Sequence, residues 1–415
     1  MTSAFGAHFF RHEFGRLVAL LTRRVGVQHL ELVEDAVQAA LLSAVESWTA
    51  AEVPENPSAW LYRVAHNHFV GELRQRARRA ELNEEQAPIR PASDEPPATF
   101  LAGEVEDSLL RMLFICCDES IPIESQLVLA LKTLCGFDVA EIAQRLFTSE
   151  GNVYKRLGRA RNRLRETHFL ANELTTELLA SRLPAVQAIV YTLFTEGHLS
   201  SHAEDAIRRE LCDEARRLTS ILAVHPVAAT PETFALLALM HLHSARMSAR
   251  RDGSGGLLLL EEQDRSLFDQ HELARGLSWL ARSATGAAFS RFHAEAGIAA
   301  EHCLAPSFAE TRWQRIVECY ELLDRLAPSP IHTLNRALAV AECRGPSAGL
   351  AVLDGLEPPS WLSGSYLWSA VLADLHRRCG NTELASRYRD SAVQLAPSPM
   401  IAASLWRRLS AGVGS

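Results

Sequence analysis

The sequence contains almost no lysine. Only Lys132 and Lys155 are lysines, so arginine supplies 40 of the 42 basic residues. GC-rich coding explains this bias more simply than function does. It still has a physical consequence, because the arginine side chain presents a planar fork of donors that matches phosphate groups and guanine edges.

The sequence also lacks the cysteine and histidine spacings of a metal or disulfide framework. None of the eight cysteines forms a C-x-x-C pair, and each lies among apolar neighbours, as in "LFICC". This pattern predicts reduced thiols in the core. The "HLH" at 241–243 is too closely spaced for a helical pair of metal ligands. We therefore expect no metal site.

Catalytic motifs are missing as well. The sequence contains no nucleophile–base motif, phosphate-binding loop or cofactor fingerprint. The "GSGG" at 253–256 lacks both a following Lys-Ser/Thr and a preceding strand. We expect neither enzymatic activity nor a cofactor.

Long apolar runs and a signal peptide are also absent from the sequence pattern. No apolar run approaches the ~20 residues that a membrane helix requires. The start, "MTSAFGAHFFRHEFGRL", has no basic segment followed by an apolar block. These features predict a cytoplasmic protein without a membrane partner.

Strand patterns are scarce, and helical spacing recurs along the chain, which predicts an all-α protein. We expect two small helical domains followed by a helical, tetratricopeptide-like extension. Residues 81–107 hold eight acidic residues, four prolines and one arginine, the composition of a linker. The predicted boundaries are 5–80, 81–107 (linker), 108–170, 171–290 and 291–415.

The C-terminal part contains a repeat. "LAPSP" occurs at 326–330 and again at 395–399, a spacing of about two tetratricopeptide units. The last unit matches best, with Gly380 at the turn between its helices and Ala385 and Ala392 on the second helix. Such helix pairs stack on one another and form a concave surface.

One short stretch concentrates positive charge in a chain with a net charge of −8. "SEGNVYKRLGRARNRLRE", 149–166, holds six basic residues against Glu150 and Glu166. The preceding "DVAEIAQRLF" predicts a short helix, "TS" a turn, and Ser149 an N-cap, which together form a helix–turn–helix pattern. A solvated basic helix is the alternative, but the spacing favours a DNA recognition helix.

The overall charge limits how such a helix can work. Residues 1–170 carry 19 basic and 23 acidic side chains, with the basic ones concentrated at 63–79 and 155–165. A regulator that binds DNA unaided usually has a basic excess. The pattern favours two separate DNA contacts on a protein delivered by a larger partner that itself holds DNA.

These residues resemble a known family. "VEDAVQAALLSAVESW" with "NPSAWLYRVAHNHFVGELRQRARR" resembles region 2 of bacterial sigma factors of the extracytoplasmic-function class, within the sigma-70 family. "DVAEIAQRLFTSEGNVYKRLGRARNRLRE" resembles their region 4. The remainder resembles the large C-terminal extension of one sigma subgroup.

The resemblance implies a sigma factor that binds core RNA polymerase and promoter DNA, with its C-terminal helical domain regulating activity. It implies three sets of site residues. The polymerase contact is Glu34, Asp35, Gln38 and Leu41. The −10 contact is Trp60, Arg63, Asn67, Arg74 and Arg76. The −35 contact is Asn152, Tyr154, Lys155, Arg156, Arg159 and Arg161.

The sequence departs from the family pattern at two places. Ala39, Ala40 and Leu41 stand where Glu, Thr and Phe are frequent, and Gly71 stands where Asp is common. Glycine within a helix costs roughly 1 kcal/mol relative to alanine.

An acidic segment in the extension leaves several interpretations open. The segment 257–272 holds five carboxylates: Glu261, Glu262, Asp264, Asp269 and Glu272. A solvated or self-paired stretch is favoured, with Arg250, Arg251 and Arg265 as partners. The alternatives are a divalent-metal or acid–base site, or a contact with the basic DNA helices that holds the protein inactive.

Three function classes follow from these observations. The first is a promoter-specificity subunit of RNA polymerase. The second is a stand-alone helix–turn–helix regulator with a helical sensory or interaction domain, which would not depend on core polymerase. The third is an interaction scaffold whose DNA surfaces have decayed and whose tail binds another protein.

Overall fold

The structure is a computed structural model. It describes residues 7–48, 53–82, 102–146, 148–166, 175–198, 209–250, 258–286, 288–397 and 399–410. Within these ranges every regular element is a helix, so the prediction of an all-α protein is confirmed. Contacts divide the chain into two compact units, Met1–Glu196 with Arg217–Ala228, and Gly197–Arg216 with Ala229–Ser415.

The described part of the first unit is built from helices α1 to α8. They are α1 (Ala7–Val25), α2 (Leu30–Ser47), α3 (Pro57–Leu82), α4 (Ala102–Cys116), α5 (Ile123–Thr133), α6 (Val139–Arg145), α7 (Glu150–Glu166) and most of α8 (Thr176–His198); α9 (Arg209–Leu222) ends in it. Helix α3 extends to Leu82 and α4 begins at Ala102, so both ends of the predicted linker, 81–107, belong to helices. Residues 83–101 lie outside the described residues.

Local signals in the sequence set the start and end of these helices. Gly26 follows α1 with a φ of 94°, a left-handed conformation that glycine adopts at no steric cost. The side chain of Asn56 accepts a hydrogen bond from the backbone N–H of Ala59 at 3.0 Å, so it caps the start of α3 just before Pro57. These signals are short-range, which is why the sequence pattern located the helices.

Helical spacing predicts a buried face of α2 formed by Leu30, Val33, Val37, Leu41 and Val45, and the structure departs from this face at its end. Leu30, Val33 and Val37 are buried as expected, but Val45 is 51% exposed. Helical periodicity identified the correct face near the start of α2. Ala44 in the last turn is fully buried, so this turn still packs on the core while Val45 lies on its exposed side. Which neighbours cover each side of a helix is a tertiary fact that periodicity does not contain.

The second unit is built from the remaining helices. They are α10 (Pro231–Ala245), α11 (Gln270–Ser283), α12 (Arg291–Leu304), α13 (Trp313–Leu326), α14 (Pro330–Arg344), α15 (Pro346–Leu353), α16 (Ser360–Ser363), α17 (Tyr366–Arg378), α18 (Thr382–Gln394) and α19 (Pro399–Ser410). Both copies of "LAPSP" place their last proline at the first residue of a helix, α14 and α19. Gly380 forms the turn between α17 and α18 with a φ of 79°, and Ala385 and Ala392 are buried.

One helix corrects a prediction made from the sequence. Within the described residues, α8 is long and apolar enough to cross a membrane by length and composition, although the apolar runs of the sequence predicted no such helix. Half of its most apolar window is buried inside the protein, and its Arg182 forms a buried ion pair with Asp118. A helix in the core of a protein has these features.

The mid-helix glycine of α3 gives a stability prediction. A Cβ built at Gly71 meets no atom within 4 Å. We therefore expect Gly71→Ala to stabilise the first unit by up to about 1 kcal/mol, because alanine loses less backbone entropy in a helix. Chemical denaturation measures this difference.

Gly15 on α1 provides the matched comparison. A Cβ there would lie 2.0 Å from the carbonyl oxygen of Leu134, so Gly15→Ala should destabilise the same unit. A loss of stability in Gly71→Ala would contradict the prediction that a methyl group at this position is accommodated without a clash.

Candidate nucleic-acid interface

Helices α6 and α7 form a helix–turn–helix. Asp138 caps α6 by accepting a hydrogen bond from the backbone N–H of Glu141, whose side chain accepts one from the N–H of Asp138 in return. Ser149 caps α7 in the predicted manner, accepting from the N–H of Asn152 at 3.3 Å. Helical spacing predicts a core face of α7 formed by Val153, Leu157, Ala160 and Leu164, and all four residues are buried.

The opposite face of α7 carries most of the predicted −35 residues. Asn152, Tyr154, Lys155 and Arg159 are exposed, and the exposed fraction of Tyr154 is 61%. Arg156 is half-buried and forms an ion pair with Glu124 at 3.1 Å. A helix with exposed polar, aromatic and basic side chains at its N-terminal end has the form that enters a DNA major groove.

Arg161 occupies a different position from the rest of the predicted −35 set. Its guanidinium forms an ion pair with Glu34 on α2 and lies 3.4 Å from Glu31. Glu34 is 1% exposed and also accepts a hydrogen bond from the hydroxyl of Thr133 at 2.8 Å. A predicted DNA residue and a predicted polymerase residue therefore bind each other.

Burial dominates the electrostatics of Glu34. Desolvation raises the pKa of its carboxyl above the ordinary value, while Arg161, Thr133 and Lys132 act in the opposite direction. Because the carboxylate is removed from water, its charged form depends on the guanidinium of Arg161.

The other predicted polymerase residues remain accessible on α2. Asp35 and Gln38 are exposed and Leu41 is half-buried. Sequence reasoning missed Leu42 and Val45, which are 59% and 51% exposed. With Asp35 and Gln38 they follow a spacing of three and four residues, so they share one face of the helix. The signal that could have found them is two apolar residues at helical spacing from the polar residues Asp35 and Gln38.

The predicted −10 residues lie on α3. Arg63, Asn67, Arg74 and Arg76 are exposed. Trp60 is half-buried and packs on Trp48, with 5.3 Å between the ring centroids. Phe69 lies on the predicted apolar face of this helix, and it is buried against His29 as a core residue.

Helix α1 holds α2 and α3 close to α4, α5 and α6. Gly15 allows the backbone of Leu134 to approach α1 closely. Ion pairs join Arg11 to Glu141 at 2.9 Å and Arg23 to Asp107 at 2.8 Å. The first unit is thus closed, with the helix–turn–helix packed against the helices that precede the linker.

Comparison with known families identifies both halves of this unit. Residues 9–79 match sigma-70 region 2, and residues 111–164 match sigma-70 region 4. The chain belongs to the sigma-70 family. Together with the relatives given below, these two regions identify it as a sigma factor of the extracytoplasmic-function class. It directs transcription initiation and interacts with core RNA polymerase and promoter DNA.

The relatives cover different parts of this sigma factor. An uncharacterised protein, R00370 of Rhizobium meliloti (strain 1021), is 31% identical over 384 residues, which is 92% of this chain and 90% of that protein. The "ECF RNA polymerase sigma factor SigM" of Mycobacterium tuberculosis (strain H37Rv) is 29% identical over 163 residues, 39% of this chain and 75% of that protein. Residues 182–284 match a family of unknown function, DUF6596. No solved structure matches.

The acidic segment of the extension is bound within its own unit. Glu272 forms an ion pair with Arg216 and a hydrogen bond with Nδ1 of His241, both at 2.7 Å, and Glu262 pairs with Arg408 at 2.7 Å. Asp264 and Asp269 accept hydrogen bonds from backbone N–H groups at the starts of helical segments. Among the described residues no group of acidic, histidine or cysteine side chains could hold a metal ion. The arginine partners that the structure describes, Arg216 and Arg408, are not among those that the sequence suggested, and Arg251 lies outside the described residues.

Proposed function

We propose that this sigma factor binds core RNA polymerase through the exposed stripe of α2 and reads promoter DNA through α3 and α7. The stripe combines Asp35 and Gln38 with the exposed apolar residues Leu42 and Val45. An apolar patch bordered by polar side chains is typical of a protein–protein interface. The basic residues of α3 and the exposed face of α7 provide the DNA contacts.

The single observation that carries this proposal further is the pairing of Arg161 with Glu34. In the closed unit these two side chains satisfy each other, so neither is available to DNA or polymerase. Initiation then requires region 2 and region 4 to separate. The C-terminal helical extension regulates this step, and the protein acts in the cytoplasm.

The affinity for core polymerase tests this proposal. The substitution Arg23→Glu replaces the ion pair with Asp107 by a repulsion between like charges. It weakens the closed unit and changes none of the proposed contact residues. Because only the open fraction binds, we expect a few-fold tighter apparent affinity for core polymerase than in the wild type. Binding of the full-length chain to purified core enzyme measures it.

The charge swap Arg23→Glu with Asp107→Arg is the matched control. It should restore only part of the wild-type affinity, because Asp107 also pairs with Arg111 and its replacement by arginine places like charges together there. Equal affinities in all three proteins would show that closure does not limit polymerase binding. Promoter binding by the chain alone, without any polymerase binding, would instead favour a stand-alone helix–turn–helix regulator.

A further inference from the structure

The end of α10 buries an arginine that has no acidic partner among the described residues. Arg246 follows the helix as its C-cap and is 6% exposed. In the part of the chain that the structure describes, its side chain forms one hydrogen bond, from Nη2 to Oε1 of Gln263 at 2.9 Å. Its Nε is buried without a partner. A buried charge without a counter-charge is costly, so this cation is uncompensated.

Gln263 is held so that its oxygen faces this arginine. The side chain is 7% exposed, and its Nε2 donates to the carbonyl oxygen of Leu258 at 3.2 Å. The N–H of Leu258 donates in turn to the carbonyl of Arg250 at 2.9 Å. The segment after residue 257 is thereby fixed against the end of α10, and the guanidinium of Arg246 has a defined direction.

Two further donors belong to the same cluster. Arg265 is half-buried, and its Nε donates to the carbonyl of Ala305 at 2.8 Å, beside the end of α12. The neighbouring carboxylate of Asp264 accepts from the N–H of Ser266 and forms no described ion pair with Arg265. His302 on α12 is 8% exposed, and its Nδ1 is buried without a partner.

The two charges that act on the imidazole of His302 are of one sign. Burial, followed by the charges of Arg246 and Arg265, lowers the pKa of His302 to about 3, so the imidazole is neutral and can donate one hydrogen bond. Burial raises the pKa of the Cys303 thiol to about 11, so this group supplies no counter-charge. The pKa of His243 is likewise lowered by burial and by the adjacent arginines.

Two half-buried arginines of the same unit have carboxylate partners. Arg216 pairs with Glu272 at 2.7 Å, and Arg378 pairs with Glu342 at 2.6 Å. Arg246 differs from these two arginines, because among the described residues it has a hydrogen-bond partner but no carboxylate partner.

We propose that Arg246, Arg265 and His302 form a binding site for a small oxyanion, the carboxylate or phosphate group of a ligand. Guanidinium groups bind such anions through paired, charge-assisted hydrogen bonds, and Gln263 orients the first of them. The site joins the segment that matches the family of unknown function to helix α12. Ligand binding there adds a contact between these two parts of the extension.

Thermal unfolding of the full-length protein tests the site with two probes, inorganic phosphate and acetate, at an ionic strength held constant with KCl. A ligand that binds the folded state raises the melting temperature in a saturable manner. We expect such a rise with at least one probe, and the more effective probe identifies the anion class. The substitution Arg265→Gln should weaken the apparent affinity of the protein for that anion at least about tenfold.

Two variants complete the test. Arg246→Met should abolish the response and, without either probe, should be at least as stable as the wild type, because it removes an uncompensated charge. Arg315→Gln, on an exposed residue that pairs with Glu318, should respond as the wild type does. An equal response in wild type and Arg265→Gln would overturn the proposal. The absence of a saturable response in the wild type would also overturn it. Arg246 would then act only as a cation at the C-terminus of the helix.

Discussion

Replacing Arg161 with methionine should destabilise the first unit by about 3–5 kcal/mol at neutral pH. The loss is large because Glu34 would remain buried without the guanidinium that compensates its charge. An exposed ion pair would contribute less than about 1 kcal/mol. Chemical denaturation of wild type and Arg161→Met measures the difference.

The pH dependence of this loss follows from the raised pKa of Glu34. Burial raises that pKa, and Arg161 is the largest of the causes that lower it, so Arg161→Met raises it further. A carboxyl whose pKa is raised by folding contributes stability that is present at low pH and lost as the pH rises through its folded pKa. The deficit of Arg161→Met should therefore shrink as the pH falls toward the ordinary glutamate value.

A double variant separates the buried charge from the packing. Glu34→Met combined with Arg161→Met replaces the ion pair by apolar groups and should recover most of the lost stability, because no buried charge remains. The hydroxyl of Thr133 loses its acceptor, a cost of about 1 kcal/mol. A loss below about 1 kcal/mol in Arg161→Met alone would show that the pair behaves as a surface contact.

Removing two exposed basic residues of α7 should lower promoter affinity about a hundredfold. Lys155 and Arg159 lie four residues apart on one exposed face, away from the buried residues of the helix. Each contact to phosphate or base contributes about 1–3 kcal/mol. The assay compares holoenzyme formed with wild type and with Lys155→Ala/Arg159→Ala on DNA upstream of the protein's own gene.

The control variant for this experiment is Arg315→Ala, which removes an exposed arginine from the second unit. It should leave promoter affinity unchanged, and all three proteins should have similar stability because the substituted side chains are exposed. The double variant should also reduce the dependence of binding on salt, since fewer counterions are released. Unchanged affinity would remove α7 from promoter recognition.

Short-range patterns determined much of this protein. The all-helical class, the cap at Ser149, the helix start at Pro57 and the buried face of α7 depend on residues within a few positions of one another. The family resemblance rests on such stretches too, which is why the amino-acid sequence by itself indicates a sigma factor.

Tertiary structure alone decided what the predicted site residues contact. Arg161 and Glu34 are 127 residues apart in sequence, and their pairing depends on how α1 packs through Gly15 against Leu134. The burial of Arg246 next to Arg265 and His302 likewise depends on three separate segments meeting. Sequence periodicity states which face of a helix is buried. It contains no information on which distant helix covers that face, and the charge balance of a buried residue depends on that neighbour.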